Sequence, residues 1–443
     1  MLTLNNIGIE AFFLFLHFFI LVVNYIVFNK KPMHPAVLFA GLWFAILLIH
    51  FISRFTVLDK LLPVSSDTFL ILFVGVLFFS TGAFIHTIVS ERRNAAELSG
   101  SNLTIADFNI HPYLQYFLLA VIAIGLPIYI QASYKLFIAS QLDNFFIGLR
   151  TELTEGGKDI GPAKYFMSFS FVAYAFSIFA MVKDNTRKNK MLFFLTLLIT
   201  ITYAVFATGR TFLFIIFIEY IGIRYIVSRN FSFQKILRML ALFVLIFSII
   251  GVIYGKGGSA EGALADNLDM ASQTTAIYIV SPINALDQEV QNQQNTVYDG
   301  NNSLQFFIKL INQLTPFPIF KVRDIIQPYV FVPYPTNVYT YYSLYIRDFG
   351  PFYAWILLAV FGFLHTAIHN KALRSTNVRF IFYYAFLLYP LLMSFFGDQY
   401  FSLISTWIQI AVFIELFLFI NSYLINNELN STASSINDQS SEA

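Results

Sequence analysis

Apolar residues along this chain come in blocks of about 17 to 25 positions, long enough to cross a bilayer core of about 30 Å. The blocks fall at 7–28, 35–53, 68–90, 113–138, 164–182, 191–208, 211–228, 236–254, 350–369, 380–397 and 402–425, about eleven spans. Backbone groups in lipid have no water to bond to, so each block is expected to be a helix. The fold class read from the pattern is an all-α polytopic membrane protein. Residues 1–425 read as one transmembrane domain, and 426–443, rich in Asn and Ser, as a disordered cytoplasmic tail. The first block has no basic segment before it and exceeds a signal peptide's apolar core, so it reads as a retained span.

Composition agrees with the pattern. Of 443 residues, 57% are hydrophobic and 12% charged, about half the charged fraction of a soluble domain. The absence of cysteine excludes disulfides and thiolate chemistry. The net charge of +2 says little about partners; the placement of charge says more. Lys30 and Lys31, Arg92 and Arg93, Lys183 to Lys190, Arg224 to Arg238, and Lys371 to Arg379 all fall in alternate short loops. The basic loops are expected in the cytoplasm, which puts the amino terminus outside and the carboxyl terminus inside.

Three outward connections stand apart. The first, 139–163, holds Arg150, a Gly156-Gly157 turn and Gly161-Pro162. The second is little more than Gly209-Arg210 between two spans. The third, 255–349, is too long for a simple connector and reads as a large extracytoplasmic loop, either a small domain or a lid. Within it Leu304, Phe307, Ile308, Ile311 and Leu314 form one apolar stripe, predicting a helix capped by Asn302 or Ser303 that lies along the membrane surface. Three prolines between 328 and 335 forbid regular helix there.

An arginine among spanning helices costs roughly 2.5–3.5 kcal/mol on insertion scales, so Arg210 calls for an explanation. It either snorkels to the interface or binds an anion. The guanidinium fork suits phosphate, and Arg150, Arg210 and Arg347 on one outer face point to a lipid diphosphate. Lys256 and Arg323 are weaker candidates of the same kind. Asp348 and Asp398 are the carboxylates expected at that face. Each reads either as a general base or as a cap or solvated turn. Tyr339, Tyr341, Tyr342 and Tyr400 read either as interfacial aromatics or as sugar-stacking rings. His365 and His369 have the four-residue spacing of metal ligands but no third ligand nearby in sequence, and no metal or cofactor is expected. No nucleotide-binding motif or nucleophile elbow occurs.

Thr208-Gly209-Arg210-Thr211, the run Pro333 to Thr340, Asp348-Phe349-Gly350, and Tyr389-Pro390 leading to Asp398-Gln399-Tyr400-Phe401-Ser402 resemble the O-antigen polymerase (Wzy-type) family. Arg150 and Gly161 also match the arginine-to-glycine spacing of that family's periplasmic loops. The likeness runs from about residue 140 to 410. It implies a GT-C-like membrane glycosyltransferase that joins undecaprenyl-diphosphate-linked oligosaccharide units at the periplasmic face. Donor and acceptor would both be lipid-linked, and a chain-length-regulating co-polymerase is the implied partner; no nucleic acid is involved. The related O-antigen ligases resemble the chain less, because residues 255–349 contain no histidine. A flippase for the same lipid-linked units is the rival from another class, disfavoured by the lack of an internal repeat.

Overall fold

The computed structural model describes residues 4–56, 58, 61–96, 108–154, 156–228, 264–292, 300–317, 327–374 and 377–441. The expected span 236–254, Lys256 and Arg323 lie outside these. The described elements are α1 (Leu4–Val27), α2 (Pro35–Ser53), α3 (Ser66–Ala96), α4 (Pro112–Ser140), α5 (Phe145–Thr154), a 3-10 turn (Gly161–Lys164), α6 (Tyr165–Lys183), α7 (Arg187–Phe206) and α8 (Arg210–Ser228). After these come α9 (Leu264–Gln291), α10 (Gln305–Leu314), a two-residue pairing of β1 (Val330–Phe331) with β2 (Pro335–Thr336), α11 (Tyr341–Arg374), α12 (Arg379–Leu392) and α13 (Ile404–Ser441). Among the described residues nine helices are long and apolar enough to cross a membrane, and α12 is a shorter apolar helix at the tenth expected block. The chain is an all-α polytopic membrane protein.

Its contacts gather into two compact units, a subdivision that hydropathy does not register. Unit 1 comprises Met1–Ser101, Ala241–Lys371 and Leu387–Ile404; unit 2 comprises Asn102–Leu240, Ala372–Phe386 and Ser405–Ala443. The unit 1 core is aromatic. Phe39 stacks on Phe79 at 4.2 Å, and Trp43 meets Tyr342 edge-on at 5.2 Å. Helix α9, inside the stretch expected as an extracytoplasmic loop, packs against α2 and α3 and contributes Ile283 and Leu286 to this core. In unit 2, α6 is buried from Ser170 to Ala180, with Phe176 stacked on Phe382 at 4.5 Å.

Two glycines set the approach of α3 and α11. A Cβ on Gly82 would overlap the Ala359 carbonyl, and one on Gly362 would overlap that of Phe79. Without solvent to drive association, helices in lipid gain by such close backbone packing. A third glycine divides α11. Gly350, at φ 75° and ψ 166°, takes a conformation that L side chains rarely adopt, and Pro351 follows. The kink separates a helical turn region, Tyr341–Phe349, from the span beyond, where hydropathy starts the ninth block.

Two local expectations are corrected. Helix α10 begins at Gln305 behind Leu304, with no side-chain cap from Asn302 or Ser303. Those two residues turn their N–H groups to Asp348 instead, so they are engaged before the helix starts. Its stripe has only Ile308 buried, while Phe307, Ile311 and Leu314 stay exposed. The tail is helical rather than disordered: α13 runs on to Ser441, because extending an existing helix avoids the nucleation cost.

Replacing Gly362 by Leu should lower the stability of the purified protein by about 1–3 kcal/mol, the cost of overpacking. Gly8→Ala is the control, since a Cβ there meets nothing within 4 Å. Thermal unfolding in detergent measures both; equal midpoints would show that the α3–α11 approach is not set by these glycines.

Candidate functional site

Several polar and charged groups of unit 1 meet along one stretch of α9. Asn284, Asp287 and Glu289 lie within five residues, about 7.5 Å of helix rise. Each engages a different neighbour. Asn284 meets His50 and Leu62, Asp287 meets Ser65 and Thr68, and Glu289 meets Arg347. The first two connections join sequence regions more than two hundred residues apart, which is why no motif announces them.

Arg347 is held on three sides. Its Nη1 donates to Gln327 Oε1 at 2.6 Å, its Nη2 lies 2.5 Å from Glu289 Oε1, and its guanidinium sits 5.0 Å over the Tyr339 ring. Burial pushes the Glu289 carboxyl up from the usual carboxylate range, and the Arg347 charge pulls it back down. An anion reaching this fork therefore competes with Glu289. Arg347 and Asp348 are neighbours in sequence but not in function. Asp348, 2% exposed, accepts from Asn302 N at 3.1 Å, Asn302 Nδ2 at 2.6 Å and Ser303 N at 2.5 Å. It fastens the turn that leads into α10 rather than capping its own helix.

Asp398 sits in the short connection before α13 and is 4% exposed. Its oxygens accept from the Tyr345 hydroxyl at 2.7 Å and from the backbone N–H groups of Tyr400, Phe401 and Ser402. The Ser402 hydroxyl donates as well, at 3.2 Å. Desolvation raises this carboxyl above the usual range while those donors favour its ionised form. A carboxylate so fully engaged holds the loop in shape, and a hydroxyl substrate would reach it only by displacing a donor.

The tyrosines divide. Tyr341 and Tyr342, 1% and 0% exposed, are packed among Trp43, Phe39 and Tyr345, and Tyr342 donates to the Leu72 carbonyl at 3.2 Å. Their ring faces are covered by protein, so the expected stacking on sugar is corrected to core packing at these two positions. Tyr339 donates to the Pro328 carbonyl at 3.0 Å beneath Arg347. Tyr400 stacks on Phe361 at 4.2 Å, with its hydroxyl 2.9 Å from His365 Nε2. His365 and His369 form no metal group among the described residues.

Arg150 and Arg210 belong to unit 2. Arg150 is on α5, followed by the Glu152–Lys158 pair and by Asp159, which accepts from Gly161 N at 2.8 Å. Arg210 opens α8 two positions after Thr208, whose φ of 55° makes the tight turn. Their gathering with Arg347 remains an expectation of the sequence.

Sequence reasoning missed a buried cluster on α1 and α2. Glu10 Oε1 lies 2.7 Å from His50 Nδ1, and Glu10 Oε2 accepts from Arg54 Nη1. All three side chains are essentially buried. The signal was present: Glu10 interrupts the first apolar block and Arg54 ends the second. Both were passed over because each looked like an ordinary boundary charge.

Tyr342→Phe should cost about 1 kcal/mol of stability, the worth of one buried hydrogen bond, and leave activity at the wild-type level. Thermal unfolding and product analysis measure the two effects; lost activity at full stability would restore Tyr342 to the site.

Comparison with known proteins places these residues in context. The chain is 25% identical over 253 residues to a candidate O-antigen polymerase of Escherichia coli (strain K12), covering 57% of this chain and 60% of that one. It is 26% identical over 229 residues to an O-antigen polymerase of Shigella dysenteriae, covering 51% and 55% respectively. The chain thus spans somewhat over half the length of the curated relatives it matches. No family model matches, and no solved structure matches. Over about half its length, the chain is similar to proteins named O-antigen polymerase, the family that its own motifs resemble.

Proposed function

We propose that this protein is a membrane glycosyltransferase that polymerises undecaprenyl-diphosphate-linked oligosaccharide units on the extracytoplasmic side of the bacterial inner membrane. The observation that carries this reading is the similarity to two proteins named O-antigen polymerase. The reaction breaks the bond between sugar C1 and the diphosphate oxygen. It forms a bond from C1 to a hydroxyl oxygen of a second lipid-linked unit, and the hydroxyl loses its proton. Negative charge grows on the departing diphosphate, so the main requirement is positive charge placed there in advance. Arg210 at the amino end of α8 suits that role, because backbone N–H groups and an arginine act on an anion in the same sense. Arg150, in the same unit, is the further cation of the scheme. The transition state at C1 is oxocarbenium-like, as in glycoside chemistry generally. In unit 1, proton acceptance by Asp398 or Asp348 requires release of a donor. The exposed apolar stripe of α10 suits a place at the lipid surface, where polyprenyl chains would arrive.

Purified protein in liposomes, supplied with lipid-linked repeat units, should give a ladder spaced by one repeat on a gel. Arg210→Ala should slow its formation by about 10²–10³-fold, the cost of one charge-stabilising group, at unchanged protein level. A single unchanged band with substrate moved across the bilayer would make the protein a flippase.

A further inference from the structure

The Glu10–His50–Arg54 cluster carries one positive charge more than it can neutralise. Asn284 Nδ2 donates to the Leu62 carbonyl at 2.8 Å, which fixes the amide so that its Oδ1 faces His50 Nε2 at 3.0 Å. A carbonyl oxygen only accepts, so Nε2 carries a proton. The bond of 2.7 Å between His50 Nδ1 and Glu10 Oε1 contains a second proton. Whichever atom owns it, histidine and glutamate together are neutral. The charge of Arg54 is then left without a counter-ion inside the cluster.

The geometry of the guanidinium agrees with the tally. Nη1 is spent on Glu10, while Nε and Nη2, both buried, have no hydrogen-bond partner among the described residues. Those two groups form the edge that takes a carboxylate or phosphate through two parallel bonds. Asp287, one turn along α9, is not the missing anion. Its oxygens accept from Ser65, Thr68 and Gln291, all neutral. The carboxyl end of α2, where Arg54 is the C-cap, contributes partial negative charge but no acceptor to that edge. Arg54 also lies at the end of α2 remote from the Lys30–Lys31 turn, the end expected outside.

We propose that the Nε–Nη2 edge of Arg54 is an anion site for the diphosphate of a lipid-linked substrate, with Glu10 and His50 as positioning residues that aim it. The ligand class rests on the polymerase reading; the anion site itself rests on the unpaired edge. Because α9 also bears Glu289, the partner of Arg347, occupancy at Arg54 and release of Arg347 share one helix.

The test is binding rather than turnover. Full-length protein in detergent is titrated with farnesyl diphosphate, with farnesol as the isoprenoid lacking the anion and inorganic diphosphate as the anion lacking the isoprenoid. Wild type should bind farnesyl diphosphate in preference to farnesol. Arg54→Gln should weaken that binding by at least about tenfold, one lost charge-assisted contact, and leave farnesol unaffected. Competition by inorganic diphosphate in wild type but not in Arg54→Gln supports the site as a diphosphate contact. If Arg54→Gln does not elute as a monodisperse species, Arg54→Lys, which keeps the charge and loses the fork, should weaken binding several-fold. Unchanged affinity in a folded variant, or no preference for the diphosphate in wild type, overturns the proposal. A missing polymer ladder with Arg54-dependent binding intact would instead retire the polymerase reading alone.

Discussion

Charge buried among apolar helices has to be matched, and in this protein α9 does much of the matching. Within five residues it presents an amide to His50, a carboxylate to Ser65 and Thr68, and a carboxylate to Arg347. Removing one member of a buried charged pair costs about 3–5 kcal/mol in general, less at the partly exposed Arg347–Glu289 pair. The order of unit 1 at this end thus depends on α9 staying docked. That constraint explains why a segment lying between two apolar blocks is built into the core instead of hanging from it.

The same constraint reorganises the reading of the acidic residues. Asp348 and Asp398 look like isolated carboxylates in sequence, each a candidate base. In the fold they are the anchors of two turns, one leading into α10 and the other into α13. Placing them near a substrate is compatible with that duty, but their first task is to satisfy backbone N–H groups of those turns. Catalysis by charge placement needs such rigid surroundings, since a cation stabilises a departing anion only where it is already held in position.

Hydropathy rendered the helices legible because spanning segments are long, apolar and strictly bounded by polar breaks; α1 to α4 and α6 to α8 fall where the blocks do. The break at Gly350 was legible for a similar reason, since glycine followed by proline punctuates any helix. Tyr341 and Tyr342 were misread because an aromatic ring at an expected interface carries no mark of which way it faces. Only packing against Trp43 and Phe39 decides that. Arg54 was missed because its partner, Glu10, comes from α1, 44 residues away, and single-sequence patterns report only neighbours. The role of Asp348 was hidden likewise, its donors being 45 and 46 residues away.

The account stands on the charged end of unit 1 facing outward, where lipid-linked sugars would be joined. The absence of cysteine from the chain allows this to be measured directly. Single cysteines at Thr56, exposed beside Arg54, and at Lys30, exposed at the other end of α2, are probed in intact cells with a membrane-impermeant maleimide. The account predicts labelling at position 56 and none at position 30 until the membrane is opened. The reverse pattern would put the buried arginine and α9 on the cytoplasmic side and contradict it.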